Sequence, residues 1–502
     1  MPIAHAEEVE QVFDHISYLK GASVNRMLYA VLGEEAFRAG LRLYMARHKY
    51  GNTETVDLWT ALGEASKRDV KALMTSWTEQ MGYPVVHVKG SSVSGDKLTL
   101  LLEQQWFLAD GSQGDGRVWT IPLLVSSADT PAPTSDIPFF SKTSFEYTLP
   151  NTGAWVKINS GQTVPMRVAY SKELFDRLVE GVRSKSLPPA DRAGLLLDTF
   201  ALAKAGIYEP TLLLTLLSAF KTEDNATVWS AVASSLLGLD KILLGSGHDM
   251  YPLFQQFAAQ LIAPAAARIG WDTLATDMHR TKTLRATLID LIGRFSKSPA
   301  DLEQARKRFK AVLNAPSDPN SCPSDYKATV FKMVLREGSL EEYTQLMKVF
   351  AASQSDAERK QVMLSMGFSN VAQLQQQTLD WTMSGAVKLQ DFFYPMMSVG
   401  SSSRQGMELM WDFFQKNLPA LQAKLASASP SLMDAVIASA CGGFTTSARA
   451  DEVAGFFEAH PMPANQRRIS QLLEGVRVNA AFTSLLVKSN MSSPAFWQSI
   501  TQ

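Results

Sequence analysis

The chain has 502 residues, 46% of them hydrophobic, and its 48 Lys and Arg residues nearly balance 49 Asp and Glu residues. Such a length predicts about three domains, and the balanced charge argues against nucleic acid or an acidic membrane surface as a partner. The two cysteines, Cys322 and Cys441, form no Cys-x-x-Cys motif, which excludes a cysteine-rich zinc site and a disulfide scaffold.

The first residues of the chain have no leader signature. They include acidic side chains and lack the apolar core of a secretory signal. No window reaches roughly eighteen uninterrupted apolar residues, the length that spans a membrane. We therefore expect a cytoplasmic protein without a membrane span.

Polar side chains that could carry chemistry are concentrated in residues 13–24. Tyr18 is the candidate there, next to the flexible Gly21, because a phenol can donate a hydrogen bond to a developing oxyanion without ionising. The spacing alone also fits a tyrosine that merely edges a core. The apolar residues around Tyr18 recur at helical spacing and predict a buried stripe made of Val9, Val12, Phe13, Ile16 and Leu19.

Two segments with different apolar periods follow one another in the first third of the chain. Residues 1–82 have the period of helices, with a stop at Gly33 and a start near Thr55. A piece of this size buries little surface by itself, so we interpret it as the tail of a larger domain. Residues 83–171 change to a period of two, and six or seven short strands predict a small β-sandwich. Pro122 predicts an edge strand or a bulge.

Residues 172–502 return to a helical period. Successive helices carry apolar stripes and are separated by Gly, Pro, Asn or Ser, without a fixed-period repeat. Some fifteen helices cannot share one core, so an irregular α-solenoid of the HEAT or armadillo kind is predicted, with a concave face for binding. The predicted fold class is therefore multidomain α+β, with all-α character in the last segment.

Several motifs occur in a fixed order along the chain. They are Ile16-Ser17-Tyr18-Leu19-Lys20-Gly21-Ala22-Ser23-Val24, Gly82-Tyr83-Pro84-Val85, Trp411-Asp412-Phe413-Phe414, Cys441-Gly442-Gly443-Phe444 and His460-Pro461-Met462-Pro463. In residues and order, this set resembles the zinc metalloaminopeptidases of the puromycin-sensitive (gluzincin aminopeptidase) family. The resemblance runs from Phe13 to Asn479 and covers nearly the whole chain.

The resemblance implies a role for each segment. Tyr18 stands where the family has the tyrosine that stabilises the tetrahedral intermediate of peptide hydrolysis. Residues 1–82 would be the helical end of a thermolysin-like catalytic domain, residues 83–171 the linking β-sandwich, and residues 172–502 the helical domain that encloses peptide substrates. The implied activity is hydrolysis of N-terminal residues from peptides, with zinc as cofactor.

The zinc-binding signature of such enzymes, His-Glu-x-x-His on a helix, does not occur in the sequence. The seven histidines are His5, His15, His48, His87, His248, His279 and His460, and none is followed by Glu. The Gly-x-Met-Glu-Asn run that binds the substrate amine in the family is also missing, and we interpret Gly406-Met407-Glu408 as a chance echo. We expect the C-terminal part of such an enzyme, which binds no zinc and is inactive alone.

A second hypothesis is a non-catalytic helical-repeat module that binds peptides or a protein partner, as the solenoid pattern and the missing metal ligands suggest. A nucleophilic triad of Asp14, His15 and Ser17 is disfavoured, because these side chains diverge on one helical turn. The basic run at residues 306–310 is interpreted as a solvated helix face. The oligomeric state and the preferred N-terminal residue are not determined by the sequence.

Overall fold

The computed structural model describes residues 16–130, 137–151, 153–315, 318 and 321–501. The chain divides into two compact units, Met1–Tyr208 and Glu209–Gln502. The described residues are mostly helical with a minority of strands, in agreement with the coarse fold class. The predicted boundaries after residues 82 and 171, the β-sandwich and the HEAT-like class stay predictions.

In the first unit, four described helices precede the strands along the chain and two follow them. Its described helices are α1 (Gly21–Leu32), α2 (Glu34–His48), α3 (Thr55–Ser66), α4 (Val70–Thr78), α5 (Lys172–Arg183) and α6 (Pro189–Lys204). Its described strands are β1 (Pro84–Ser94), β2 (Lys97–Trp106), β3 (Ile121–Pro122), β4 (Val125–Ser127), β5 (Phe139–Phe140), β6 (Ser144–Pro150), β7 (Val156–Ile158) and β8 (Arg167–Ala169).

The first helices begin and end where local signals place them. Gly33 follows α1 with φ of 77°, a conformation that glycine adopts without strain. Helix α3 begins at Thr55 behind a capping box, in which Glu54 and Asp57 satisfy each other's backbone N–H groups. Asp69 accepts a hydrogen bond from the Ala72 N–H at the start of α4. The predicted stop at Gly33 and start at Thr55 are confirmed.

The strands form three hydrogen-bonded sheets. Four of them lie in the order β6-β2-β1-β8, with β1 antiparallel to β2 and parallel to β8, whereas β3 pairs with β5 and β4 pairs with β7. Leu98, Leu100 and Leu102 on β2 are buried, the alternation expected of a strand with one covered face. Pro122 lies in the two-residue strand β3, at the edge of a two-stranded sheet, as a residue without an N–H should.

A buried charge network joins α6 to the strands. The Arg167 guanidinium on β8 lies 2.9 Å from the Asp198 carboxylate on α6, and the Lys157 ammonium on β7 lies 3.7 Å from Asp191 at the start of α6. Burial lowers the pKa of Lys157 and raises the pKa of Asp191, because a charge is less stable away from water. This network places α6 in the first unit.

The second unit is helical throughout its described part. Its helices are α7 (Pro210–Ser218), α8 (Ala226–Ser246), α9 (Tyr251–Ile269), α10 (His279–Phe295), α11 (Pro299–Asn314), α12 (Ser324–Glu337), α13 (Leu340–Ala352), α14 (Asp356–Met363), α15 (Ala372–Met383), α16 (Phe393–Ser402), α17 (Arg404–Leu425), α18 (Pro430–Cys441), α19 (Ser447–Ala459), α20 (Gln466–Lys488) and α21 (Pro494–Thr501).

Neighbouring helices of the second unit pack in sequence and then close on themselves. Helix α10 packs against α8, α9 and α12, and α16 packs against α15, α17 and α18. Near the end of the chain, α20 packs against α8, and α21 packs against α7 and α9. The last helices therefore cover the first ones, which an open array of repeats would leave apart.

Helix α8 is the one helix of the described residues that is long and apolar enough to cross a membrane by length and composition. It packs against α9, α10 and α20, and 61% of its most apolar window is buried in the protein. These contacts are typical of a core helix in a large helical unit.

Candidate functional site

Tyr18 lies in a single π-helical turn, Ile16–Lys20, that leads directly into α1. Its side chain is 61% exposed, so the phenol is accessible and does not sit in a core. The structure therefore rules out a buried tyrosine at this position. Asp14 and His15, two members of the disfavoured triad, lie outside the described residues.

The predicted buried stripe does not include Leu19, and this expectation is wrong. Its side chain is 60% exposed. A π-turn holds more residues per turn than an α-helix, so side chains within it rotate out of the phase that a 3.6-residue period predicts. Val9, Val12 and Phe13 lie outside the described residues.

The turn that carries Tyr18 is anchored on its C-terminal side. The Lys20 Nζ donates a hydrogen bond to the Gln80 carbonyl at 2.8 Å, and the Ser23 hydroxyl donates to the Leu19 carbonyl at 2.8 Å. Partial burial lowers the pKa of Lys20, because the surrounding protein desolvates the ammonium. The side chain of Lys20, two residues after Tyr18, thus ties this turn to the segment that follows α4.

Helix α1, which follows the turn, connects it to parts of the first unit that are distant in sequence. Its inner side is formed by the buried residues Val24, Met27, Leu28 and Val31. From the opposite side, the Arg26 Nη2 donates to the Gly161 carbonyl at 2.9 Å, in the loop after β7. Gly161 N–H donates in turn to the Asp191 carboxylate at 2.7 Å. A continuous set of contacts therefore links the helix of Tyr18 to the buried network of α6.

The helices and strands of the first unit are also joined through tryptophans. The Trp77 indole N–H donates to the Thr120 carbonyl at 3.0 Å, and its ring centroid lies 6.5 Å from that of Trp119. Gln80 donates to the Val118 carbonyl at 3.0 Å. Since Lys20 donates a hydrogen bond to the Gln80 carbonyl, the hydrogen bond from Gln80 to Val118 also connects the Tyr18 turn to the segment that leads into β3.

A zinc site does not fit the described residues. No group of three or more His, Cys, Asp or Glu side chains in that part of the chain could hold a metal ion. His5 and His15 lie outside it. We therefore derive no chemical step through zinc from the residues of this chain.

The structure also shows what surrounds three other features considered in the sequence, which are His48, Glu408 and the basic run at residues 306–310. His48 is the last residue of α2, a position where a cation is favourable. The Glu408 carboxylate pairs with the Arg449 guanidinium. In the basic run at residues 306–310, Arg308 is buried and pairs with Asp272, whereas its basic neighbours are exposed. The solvated-face interpretation is therefore correct for three of the four basic residues of that run, Arg306, Lys307 and Lys310.

Sequence reasoning missed a charged cavity in the second unit. It has a volume of about 620 Å³, and its charged lining includes Lys241, Arg294, Lys332, Arg336 and Arg468. These residues lie on four helices that are far apart in sequence, so no local motif unites them. The adjacent charged pair Asp240-Lys241 within the mainly apolar helix α8 was the one signal in the sequence.

Comparison with protein families gives two matches in chain order. A Peptidase family M1 domain matches residues 1–77, and an ERAP1-like C-terminal domain matches residues 155–478. The second match alone covers more than half of the chain. The turn that carries Tyr18 falls within the first match.

Individual relatives agree along nearly the whole chain. Aminopeptidase M1-B of Oryza sativa subsp. japonica is 31% identical over 512 residues, which is 100% of this chain and 57% of that protein. Puromycin-sensitive aminopeptidase of Caenorhabditis elegans is 28% identical over 490 residues, 95% of this chain and 51% of that protein. Aminopeptidase 2, mitochondrial, of Saccharomyces cerevisiae is 28% identical over 485 residues, 96% of this chain and 50% of that protein.

The chain spans about half the length of the curated relatives it matches. The description of the first domain and the names of these relatives agree on one enzyme class. The chain belongs to the M1 aminopeptidase family, and most of its length is an ERAP1-like C-terminal domain.

Proposed function

We propose that this chain is the C-terminal portion of a zinc-dependent aminopeptidase that removes N-terminal residues from peptides. Within it, Tyr18 stabilises the transition state, and the helical second unit helps to enclose the peptide. The observation that carries the proposal is an exposed phenol on an anchored turn, within the residues that match the M1 domain. The M1 family implies zinc in the complete enzyme.

The proposed chemistry of Tyr18 is hydrogen-bond donation. When water attacks a peptide carbonyl, negative charge develops on the carbonyl oxygen, and a positioned O–H stabilises that charge more than it stabilises the substrate. Such a donor must reach the substrate and must not move. The exposure of Tyr18 meets the first condition, and the anchors made by Lys20 and Arg26 support the second.

The test of Tyr18 uses a longer form of the protein that carries the zinc-binding half. In that form, Tyr18→Phe should lower kcat by about two to three orders of magnitude, the usual effect of removing one oxyanion donor. Zinc content should be unchanged. Tyr50→Phe is the matched control, because Tyr50 is a fully exposed tyrosine of the same segment. Equal kcat values for the two variants would remove Tyr18 from the mechanism.

The 502-residue chain alone should be inactive. It is proposed to lack the zinc ligands and the carboxylate base of the complete enzyme, without which water is a poor nucleophile at neutral pH. Metal analysis should find no stoichiometric zinc, and aminoacyl substrates should not be hydrolysed. One tightly held zinc ion per chain would contradict this proposal.

The finer architecture forms part of the same proposal. We propose three segments, residues 1–82, 83–171 and 172–502, with the middle one a β-sandwich and the last one a HEAT-like solenoid that closes on itself. A cytoplasmic location is proposed as well, without nucleic acid as a partner. Limited proteolysis tests the division, since cleavage should concentrate near the two boundaries if the segments are separate domains.

A second candidate function is a non-catalytic module that binds peptides or a protein partner. The cavity of the second unit favours it, because a volume of about 620 Å³ could hold a few side chains. Calorimetric titration of the chain with peptides tests it. Binding as tight as that of a complete enzyme would support the module, whereas no binding would leave the enzyme fragment.

A further inference from the structure

The cavity of the second unit is enclosed mainly by alternate helices. Its wall is formed by α8, α10, α12, α16, α18 and α20, together with Met407 on α17 and the short 3-10 turn Met366–Phe368. Because α20 packs against α8, the wall is continuous. The cavity is therefore a built feature of the closed helical array.

The lining of this cavity carries an excess of positive charge. Among the described residues it contains five cations and two carboxylates. The cations are Lys241, Arg294, Lys332, Arg336 and Arg468, and the carboxylates are Asp240 and Asp290. The whole chain is nearly neutral, so this concentration is local.

Only part of the positive charge is balanced within the protein. The Arg294 guanidinium lies 2.6 Å from the Asp240 carboxylate, and Tyr251 donates to the same carboxylate at 2.8 Å. Arg336 donates to the Gly293 carbonyl at 2.7 Å, a neutral partner, and it forms no ion pair with a carboxylate among the described residues. Asp240 is thus already used by Arg294.

The remaining cations lie near other cations. The pKa of Lys332 is lowered chiefly by burial. Asp290 acts in the opposite direction, and Arg294 and Arg336 each lower this pKa by smaller amounts. The pKa of Lys241 is also lowered, chiefly by burial and in part by Arg468. In the part of the chain that the structure describes, neither lysine lies within ion-pair distance of a carboxylate.

These lysines remain accessible from inside the cavity. Lys241 is exposed by its accessible surface, although protein surrounds it closely enough to lower its pKa. The two observations agree if its exposed surface faces the cavity, whose wall it forms. Lys332 lies with its Nζ 5.0 Å from the centroid of the Phe368 ring, a cation–π contact that still leaves other sides of the ammonium open.

We propose that this cavity binds a small organic anion with at least two clustered negative charges, a phosphate ester or a polycarboxylate. Cations held in a partly desolvated site repel one another, and a multivalent anion offsets that repulsion while it gains charge-assisted hydrogen bonds. A single carboxylate would neutralise only part of the excess. Phe393, Met397 and Met407 in the same wall can contact the carbon skeleton of the ligand. This site is independent of the proposed catalytic role of Tyr18.

Calorimetric titration of the 502-residue chain tests the proposal. Pyrophosphate and citrate are the probes, and acetate at the same ionic strength is the monovalent control. Saturable binding of pyrophosphate or citrate at one site is expected, with no saturation by acetate. Tighter binding of pyrophosphate would assign the phosphate ester, and tighter binding of citrate the polycarboxylate. No saturable binding of either probe would overturn the proposal.

Variants locate the binding in the cavity. Lys241→Met should weaken the affinity for the bound probe at least about tenfold, or about 1.4 kcal/mol. Lys332→Met, on another helix, gives a second, independent measurement if the first variant fails to fold. Lys307→Met is the matched control, because Lys307 is an exposed lysine of the same unit outside the cavity. Affinity unchanged in both cavity variants would overturn the proposal. So would binding of a peptide with a free terminal carboxylate when neither probe binds.

Discussion

The helical segment at residues 16–66 and the helical second unit differ in how densely large hydrophobic side chains are exposed on their surfaces. In residues 16–66, seven large hydrophobic side chains are exposed, and across residues 209–501 the number is again seven. The exposed residues of the shorter segment are Tyr18, Leu19, Tyr29, Leu41, Met45, Tyr50 and Val56. Apolar exposure is therefore several times denser in the segment that carries Tyr18.

This difference indicates what each region is built to contact. A dense apolar surface is typical of a face that packs against further protein, which agrees with the M1 domain match at residues 1–77. The second unit turns large apolar residues inward and encloses its cations in a cavity. It has the character of a self-contained fold, whereas residues 16–66 have the character of one side of an interface.

The largest expected effect is in the core of the second unit. Phe254 is fully buried and meets the Phe295 ring edge-on at a centroid distance of 5.7 Å. Phe254→Ala should therefore lower the free energy of unfolding by about 3–5 kcal/mol. Met45→Ala, at an exposed site, should change it by less than about 0.5 kcal/mol. Urea unfolding measures both, and similar losses would mean that Met45 is covered in solution.

Hydrogen exchange compares the two regions directly. Amides in α1, α2 and α3 should exchange at least about tenfold faster than those in α8 and α10, because a smaller share of the residues in the first three helices is buried. The measurement is mass spectrometry of peptic fragments of the 502-residue chain. Uniform protection across all five helices would show that residues 16–66 form a complete fold without a covering partner.

The anchor at Arg26 should have a smaller effect. Arg26→Ala removes the hydrogen bond to the Gly161 carbonyl and should lower the free energy of unfolding by about 1 kcal/mol. Exchange in the turn that carries Tyr18 should become faster. Arg38→Ala is the control, because its ion pair with Glu34 is exposed and contributes little. If the two variants behave alike, Arg26 does not hold the turn.

The smallest expected effect is a pH dependence at His87. Burial is the main cause that lowers the pKa of His87 below its ordinary value of 6.5, and the Gln105 amide donates to its Nε2 at 2.9 Å. The folded protein thus favours neutral imidazole. The contribution of neutral His87 to the free energy of unfolding is fully present above pH 6.5. It is lost as the pH falls from 6.5 through the lower pKa of His87 in the folded protein. Thermal unfolding of His87→Gln should show less of this loss. An identical pH profile for both proteins would contradict the assignment.

Local signals in the sequence predicted much of the fold. Gly33, Thr55 and His48 mark helix ends because capping and left-handed turns depend on a few adjacent residues. The strands at residues 84–106 followed from alternation and were found. The strand predicted around Pro122 is divided into β3 and β4, since a residue without an N–H interrupts a ladder.

Of the two candidate sites, one could be found from a local motif and the other could not. Tyr18 was found from a contiguous motif, off the predicted buried stripe, and the spacing left open whether it merely edges a core. The exposure of Leu19 was not predicted, because a π-turn changes the helical phase. The cavity residues, from Lys241 on α8 to Arg468 on α20, share no motif. Each cation in isolation fits an ordinary solvated helix position, so only their convergence distinguishes them.

The sequence by itself determined the helical and strand periods, the order of the segments and the membership of the M1 aminopeptidase family. These depend on neighbouring residues and on motif order. Only the tertiary structure decided that Tyr18 is exposed, that Lys157 and Asp191 meet in a buried network, and that the second unit closes around a positively charged cavity. Burial and charge balance are sums over residues far apart in the chain, and folding brings those residues together.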